Sequence, residues 1–381
     1  MRIAFMGDGS LGHVRRWAGY FHGRGHEVLL LSFEDVEGSP FPAIRLPMRL
    51  PAKLAGYLSA LPLVRKTLGD FRPDLLNALY VSGYGLLGSL SGVRPFVVSA
   101  LGSDLLVDYP SSAIHRIQIR RALGRADLVT TDAEILSEAA SLAGAPRGRI
   151  LKIFFGIDET IFHPGPGKDR TAGGKTPPLT IVSTRNLYDI YNLDLLVDAS
   201  PLISEGIDAR FIVCGEGPLR ERLEEKASRL GMQERFTFTG RLDPSSIAAL
   251  LRKADLYIST SRSDSTSVSL LEAMACGASP VVTDIPANRE WIEDGINGRL
   301  FPADSPEGLA RAVLAAADPG SMERCAKINA GIIMEKGLWK PNMERIETAF
   351  IRLVSEQGRG FTGKGAQRQG TTGPNRQHHP R

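Results

Sequence analysis

Short, strongly apolar runs alternate with longer mixed stretches along most of the chain. RIAFM (2–6), HEVLLLS (26–32), DLLNALYV (74–81), PFVVSA (95–100), ADLVTT (126–131) and RILKIFFG (149–156) are all of strand length. Runs that are apolar at nearly every position and separated by helical stretches predict βαβ units, with a parallel sheet covered on both faces. The pattern breaks at PGPGKDRTAGGKTPP (164–178), dense in Pro and Gly, which reads as a linker. It restarts with LTIVS, ARFIVCG, RFTFTG, DLYIST and SPVVTD, so a second α/β unit follows, with its own Gly-rich turn GEGP at 215–218. The expected division is 1–163, linker 164–178, 179–337, a closing helix at 338–357 and a tail at 358–381. Two doubly wound domains in tandem make the cleft between them the natural ligand site.

Size and composition fit this division. A chain of 381 residues exceeds the usual single core. With 43% hydrophobic and 23% charged residues it has ordinary globular usage. No apolar run approaches the ~20 residues that a spanning helix needs, and the opening residues do not read as a secretory leader. Cys214, Cys276 and Cys325 are odd in number and far apart, matching neither a disulfide framework nor a zinc spacing. Reduced core thiols and a cytoplasmic location are expected.

Charge adds one correction. The segment 358–381 holds five Lys/Arg and no acid, and removing it turns the formal charge of +4 into −1. The near-neutral body gives no argument for nucleic-acid binding. The Gly/Gln/Thr-rich tail is expected to be disordered, with His378 and His379 as tail residues rather than metal ligands.

GDGSLG at 7–12 fits G-x-G-x-x-G, and Glu34 and Asp35 follow at about the ~20-residue spacing of a ribose-binding acid. Alone, this predicts a nicotinamide or flavin oxidoreductase. A second stretch argues otherwise: TSRSDSTSVSLLEAMACGASPVVTDIPANREWIEDGINGRLFP, residues 260–302. The loop SDSTS precedes a predicted helix start, where free backbone N–H groups make an anion site. Asp264 stands just before that start. Glu272 falls eight residues later in an otherwise apolar helical run, where a carboxylate is costly unless a polar group such as a sugar hydroxyl reaches it. Cys276 and Gly277 let the chain turn into the next strand. The plainer reading makes Asp264 an N-cap and pairs Glu272 with a neighbouring base.

This stretch resembles the E-x7-E element of retaining GT-B fold glycosyltransferases of family GT4, with Asp264 and Glu272 at the two acids. FFGIDETIFHPG (154–165), FIVCGEGPLRERLEE and FTFTGRLDPSSIAALLRKADLYIST are similar to further parts of that pattern, up to about residue 355. The resemblance implies a GT-B fold whose C-terminal helix returns to an acceptor-side first domain, with the nucleotide-sugar donor on the second. Glu272 would hold ribose hydroxyls. Asp264 would touch the transferred sugar, with Thr266, Ser267 and Val268 near the phosphates and sugar. Arg185 would neutralise the donor diphosphate, where charge grows during departure. Gly215, Gly217 and the chain at Arg241–Leu242 would line the base or its approach. Gly12 would lie on the donor side, and Gly9, Ser10 and His13 on the acceptor side. Asp104 would bond an acceptor or donor hydroxyl, with a helix N-cap as its other explanation.

Three positions depart from the family's pattern. Tyr191 and Asn192 stand where a lysine and glycine are usual after Arg185. The first acid is Asp264, followed by Ser265-Thr266-Ser267 instead of G-F-G. Leu101, in VVSALGSD, occupies the place of a histidine that contacts the donor sugar.

The resemblance implies metal-independent, retaining transfer of a hexose from a UDP- or GDP-sugar, with no cofactor beyond that co-substrate and no metal site. The acceptor would be a glycan, a lipid-linked molecule or a small molecule, as in polysaccharide or glycolipid biosynthesis. Residues 45–72 carry six Lys/Arg and one Asp among apolar residues. They suit contact with an anionic membrane, at the inner face for a cytoplasmic protein, or an amphipathic helix pair on the sheet. Three alternatives stay open: a GT-B fold non-transferase such as a UDP-sugar 2-epimerase, a non-catalytic nucleotide-sugar-binding relative, and the oxidoreductase.

Overall fold

The structure, a computed structural model, describes residues 1–36, 38–48, 50, 53–165 and 177–362. Most of the expected linker and the tail beyond 362 lie outside the described residues. Two parallel sheets organise the rest. The first contains β1 (Arg2–Met6), β2 (Glu27–Ser32), β3 (Ala43–Arg45), β4 (Leu75–Leu79), β5 (Phe96–Ser99), β6 (Leu128–Thr131) and β7 (Ile150–Lys152), in the order 3-2-1-4-5-6-7. The second contains β8 (Leu179–Ser183), β9 (Ala209–Cys214), β10 (Phe236–Gly240), β11 (Leu256–Ser259), β12 (Ser279–Thr283) and β13 (Arg299–Phe301), in the order 10-9-8-11-12-13.

Side chains alternate across each strand, so both faces of the first sheet must be covered. Ile3 and Phe5 join one core with Trp17, Phe21 and Phe350, while Ala4 and Met6 join the other with Val64, Leu87 and Leu123. The first of these cores needs the far end of the chain. Helix Trp339–Thr362 crosses back to the first sheet, where Phe350 stacks on Phe21 at 5.3 Å. It runs past residue 357, the expected end of the closing helix. On its flank Glu347 accepts from Tyr20 Oη (2.9 Å) and Arg24 Nε (3.1 Å), and its other oxygen lies 2.8 Å from His26 Nε2.

In each sheet the strand order reverses beside the first strand, between β1 and β4 and between β8 and β11. Loops leaving the carboxyl ends of such neighbouring strands diverge and open a crevice. GDGSLG follows β1, Arg185 follows β8 and the SDSTS loop follows β11, so both crevices contribute to one cleft. Cys214, Cys276 and Cys325 are buried thiols.

Candidate active site

The second-domain wall of the cleft is helix Val268–Cys276. Its N-cap is Ser267, whose Oγ accepts from Leu270 N, and Gly277 ends it at φ 81. The N-cap explanation of Asp264 therefore fails. Asp264 Oδ2 instead accepts from Arg185 Nη2 at 2.5 Å, and Oδ1 accepts from Ser265 N at 3.1 Å. Arg185 is 8% exposed and also donates through Nη1 to Ser267 Oγ (2.7 Å) and Ser269 Oγ (2.9 Å). Tyr191 lies 4.1 Å under its guanidinium. The aromatic face holds the cation in place, but it does not replace the lysine charge of the family pattern.

Glu272 lies one turn into the same helix. It is mostly buried, and its carboxylate has neither a hydrogen bond nor an ion pair among the described residues. Burial raises its pKa to about 7, against the opposing charges of Arg16 and Arg185.

The glycine turns serve close packing. A Cβ on Gly7 would press on Val14 and Leu79 at 3.1–3.2 Å, and one on Gly9 would strike Val36. Gly9 N donates to Ser32 Oγ (2.9 Å), and Ser10 donates to Asp8 through both N and Oγ. Gly12 opens helix Gly12–Gly23 with no atom within 4 Å of a Cβ, so packing does not require glycine there. In the second domain, a Cβ on Gly215 would stand 2.6 Å from the Arg185 carbonyl oxygen, and one on Gly217 would strike Leu187. These two glycines thus let the GEGP turn lie against the Arg185 loop. Leu242 sits in the loop after β10, with its backbone beside Cys214.

Asp104 is a correction. It is 0% exposed, and its two oxygens accept from the backbone N–H groups of Val81, Leu101, Gly102 and Leu105. It organises the loop after β5 and does not reach the cleft, so the expected hydroxyl contact is withdrawn. Burial raises its pKa to about 6 despite those four donors. Leu101 lines two small cavities. One, of about 170 Å³, is shared with His13, Arg16, Trp17, Val268 and Trp339. The other, of about 160 Å³, is shared with Leu106, Val107, Ile190, Tyr191 and Asp264.

Asp132 escaped the sequence reading. It follows β6, is 1% exposed and accepts from Ser265 Oγ at 3.2 Å, while its carbonyl accepts from Thr266 Oγ1. These bonds join the first domain to the donor loop. Burial lifts its pKa to about 8, with Ser265 opposing and the Asp264 charge adding. Its only signal in the sequence is an acid at the carboxyl end of a buried strand, the sheet edge where ligands bind.

In the 45–72 stretch, helices Lys53–Ser59 and Leu61–Phe71 cover the sheet, with Val64, Thr67 and Leu68 buried. Arg45 pairs with Asp35, and Arg65 donates to the Leu90 carbonyl. Arg49, Pro51, Ala52 and the Lys53 side chain lie outside the described residues.

Two family models match: "Glycosyl transferase 4-like" over residues 2–133 and "Glycosyl transferases group 1" over 178–318. The chain belongs to the group 1 glycosyltransferases. It is 27% identical over 339 residues to the GDP-mannose-dependent alpha-(1-6)-phosphatidylinositol dimannoside mannosyltransferase of Mycobacterium tuberculosis, covering 84% of this chain and 87% of that protein. Two solved structures share the fold. Sucrose-phosphate synthase from Thermosynechococcus elongatus superimposes with TM-score 0.80 at 17% identity, covering 93% of this chain and all of that one. Anabaena HepE in complex with UDP gives 0.78 at 21%, with the same coverage. The fold is GT-B, and the protein is a glycosyltransferase that uses a nucleotide-sugar donor. The oxidoreductase reading of GDGSLG falls with this membership. Asp35, one of its two candidate ribose acids, is held by Arg45. No helix among the described residues is long and apolar enough to cross a membrane.

Proposed function

We propose that this glycosyltransferase moves a hexose, with retention and without a metal ion, from a UDP- or GDP-sugar to the hydroxyl of a lipid-linked acceptor. Glu272 carries the reading. A mostly buried carboxylate with no partner among the described residues, on the helix that bounds the cleft, suits the two adjacent hydroxyls of a ribose. The N-terminus of Val268–Cys276, with the backbone of Thr266, Ser267 and Val268, lies next to it and suits the diphosphate. The Arg185–Asp264 pair adjoins both. Departure of a nucleoside diphosphate from the anomeric carbon builds negative charge on phosphate oxygens, which fixed dipoles and cations stabilise without reorganising. Asp264 faces the transferred sugar, and Gly215 and Leu242 stand toward the base. Gly9, Ser10 and His13 present the acceptor side.

A UDP-bound neighbour and a GDP-mannose-dependent relative leave both bases as candidates. That relative's name specifies phosphatidylinositol dimannoside, and this chain has a surface that suits a lipid-linked molecule. Val107, Ile114 and Ile117 are 46%, 55% and 68% exposed. Residues 109–126 contain Arg116, Arg120, Arg121 and Arg125 but no acid. Apolar side chains among unopposed arginines favour an anionic bilayer. Val107 also lines the Asp264 cavity, so a headgroup at this face is close to the cleft. The 45–72 stretch, where Met48, Leu50 and Leu58 are 48%, 48% and 40% exposed, is a second candidate for peripheral contact.

A thermal-shift panel followed by turnover assays tests the function. UDP or GDP raises the melting temperature, and a hexose is transferred from the matching donor to lipid acceptors. Stabilisation by NAD(P) alone overturns the reading. A donor that binds but is never turned over would leave a binding protein, with Leu101 in place of histidine as the natural cause.

A further inference from the structure

The terminal nitrogens of Arg185 are committed to Asp264, Ser267 and Ser269, and Tyr191 brings no charge. Arg185 Nε is buried without a hydrogen bond among the described residues, but it is Arg16, across the cleft, that leaves a terminal nitrogen open. It rises from helix Gly12–Gly23, and its guanidinium lies 4.0 Å over the ring of Trp339. Its Nη2 is shut off from solvent and makes no hydrogen bond among the described residues. It forms an ion pair with Asp158 Oδ2 at 3.8 Å, too long for a hydrogen bond, and the Arg16 side chain is 36% exposed. Arg16 lines the same cavity as Val268, the first residue of the donor helix. Of the two arginine charges that act on Glu272, that of Arg16 is the larger. A buried guanidinium N–H without an acceptor is costly, and a guanidinium fork matches phosphate oxygens bidentately.

We propose that Arg16 is the second cation of the donor site, reaching from the first domain to the distal phosphate of a nucleoside diphosphate bound at the N-terminus of Val268–Cys276. The assignment rests on the donor-site reading above. It supplies the charge that Tyr191 does not, from the other side of the cleft. The diphosphate then bridges the domains, whereas a nucleoside or its monophosphate is held by the second domain alone.

Calorimetric titration with uridine, UMP, UDP, guanosine, GMP and GDP tests this on wild type, Arg16→Gln and Arg16→Lys, with thermal melts as the folding control. For the base that binds, Arg16→Gln weakens diphosphate binding about tenfold or more and leaves the monophosphate within about twofold. Arg16→Lys keeps part of the diphosphate preference. If diphosphate and monophosphate weaken together, Arg16 serves only its packing on Trp339 and the proposal is wrong. It is also wrong if neither changes. In both cases wild type still binds the nucleotide, so the donor site stands. Failure of wild type to bind any of the six overturns the donor-site reading and this proposal together.

Discussion

Arg185 Nη2 and Asp264 Oδ2 meet at 2.5 Å although 79 residues separate them, one leaving β8 and the other β11. Both side chains are largely buried, at 8% and 17% exposure, so desolvation offsets much of their attraction. Removing one partner leaves an uncompensated charge. Arg185→Ala is expected to lower stability by about 3–5 kcal/mol and to abolish transfer. The double variant Arg185→Met/Asp264→Leu recovers most of that stability in denaturant titrations while transfer stays absent. If the double variant recovers activity as well, the pair has no role in the chemistry.

Glu272 makes donor binding depend on pH. Its folded-state pKa of about 7 lies above the ordinary 4.5 because of burial. Below the ordinary value both folded and unfolded chains hold the proton and there is no penalty. As pH rises toward 7 the unfolded chain ionises first, and the free protein loses stability across that window. Ribose hydroxyls donate to the ionised carboxylate, so UDP or GDP affinity rises between about pH 6 and 8, and binding releases up to one proton. Calorimetry in buffers of different ionisation enthalpy reads that proton. Glu272→Gln should flatten the dependence, and a wild type with pH-independent affinity would count against the ribose contact.

Asp132 gives the interdomain contact an opposite limit. With its pKa raised to about 8 it is mainly protonated at neutral pH, and it accepts from Ser265 as a neutral group. Ionisation above pH 8 places a charge beside Asp264 in a buried setting. Hydrogen exchange in the 264–268 segment should therefore quicken between about pH 7 and 9.5 beyond the intrinsic rate. Asp132→Asn keeps a neutral acceptor and should remove that excess. Equal protection in both proteins across the range would sink the assignment.

Most of this architecture is written in local pattern. The central strands β1, β4, β11 and β12 are almost wholly buried, so their apolar runs are continuous and easy to read. β3 and β13 are three residues each at sheet edges and have no long apolar run around them, whereas the equally short edge strand β7 is legible because RILKIFFG extends its apolar run beyond the paired residues. The site divides in the same way. Glu272 stood out because it interrupts an apolar helical run. Asp104 was misread because its role depends on where four N–H groups point, which only the folded loop fixes. Asp132 and Arg16 carry no local motif. Their significance lies in which groups the two domains bring together across the cleft, and in whether each finds a partner there.

The C-terminal helix is fastened to the first domain through Glu347. Glu347 is 7% exposed and binds Tyr20, Arg24 and His26, three side chains on and just beyond the helix that follows GDGSLG. Burial pushes its carboxyl up, but His26, Tyr20 and Arg24 outweigh burial and hold the pKa below the ordinary 4.5. The carboxylate's contribution is therefore present above that ordinary value and is lost as pH falls through the depressed one. Glu347→Ala strands three polar groups at once and should cost about 2–4 kcal/mol. Because Trp339 opens the same helix and packs on Arg16 and Trp17, loosening the helix also disturbs the cleft. Limited proteolysis at neutral pH should cut the variant first within 339–357, with nucleotide affinity falling in parallel. If cleavage and affinity match wild type, the three-way contact on Glu347 does not hold the helix in place.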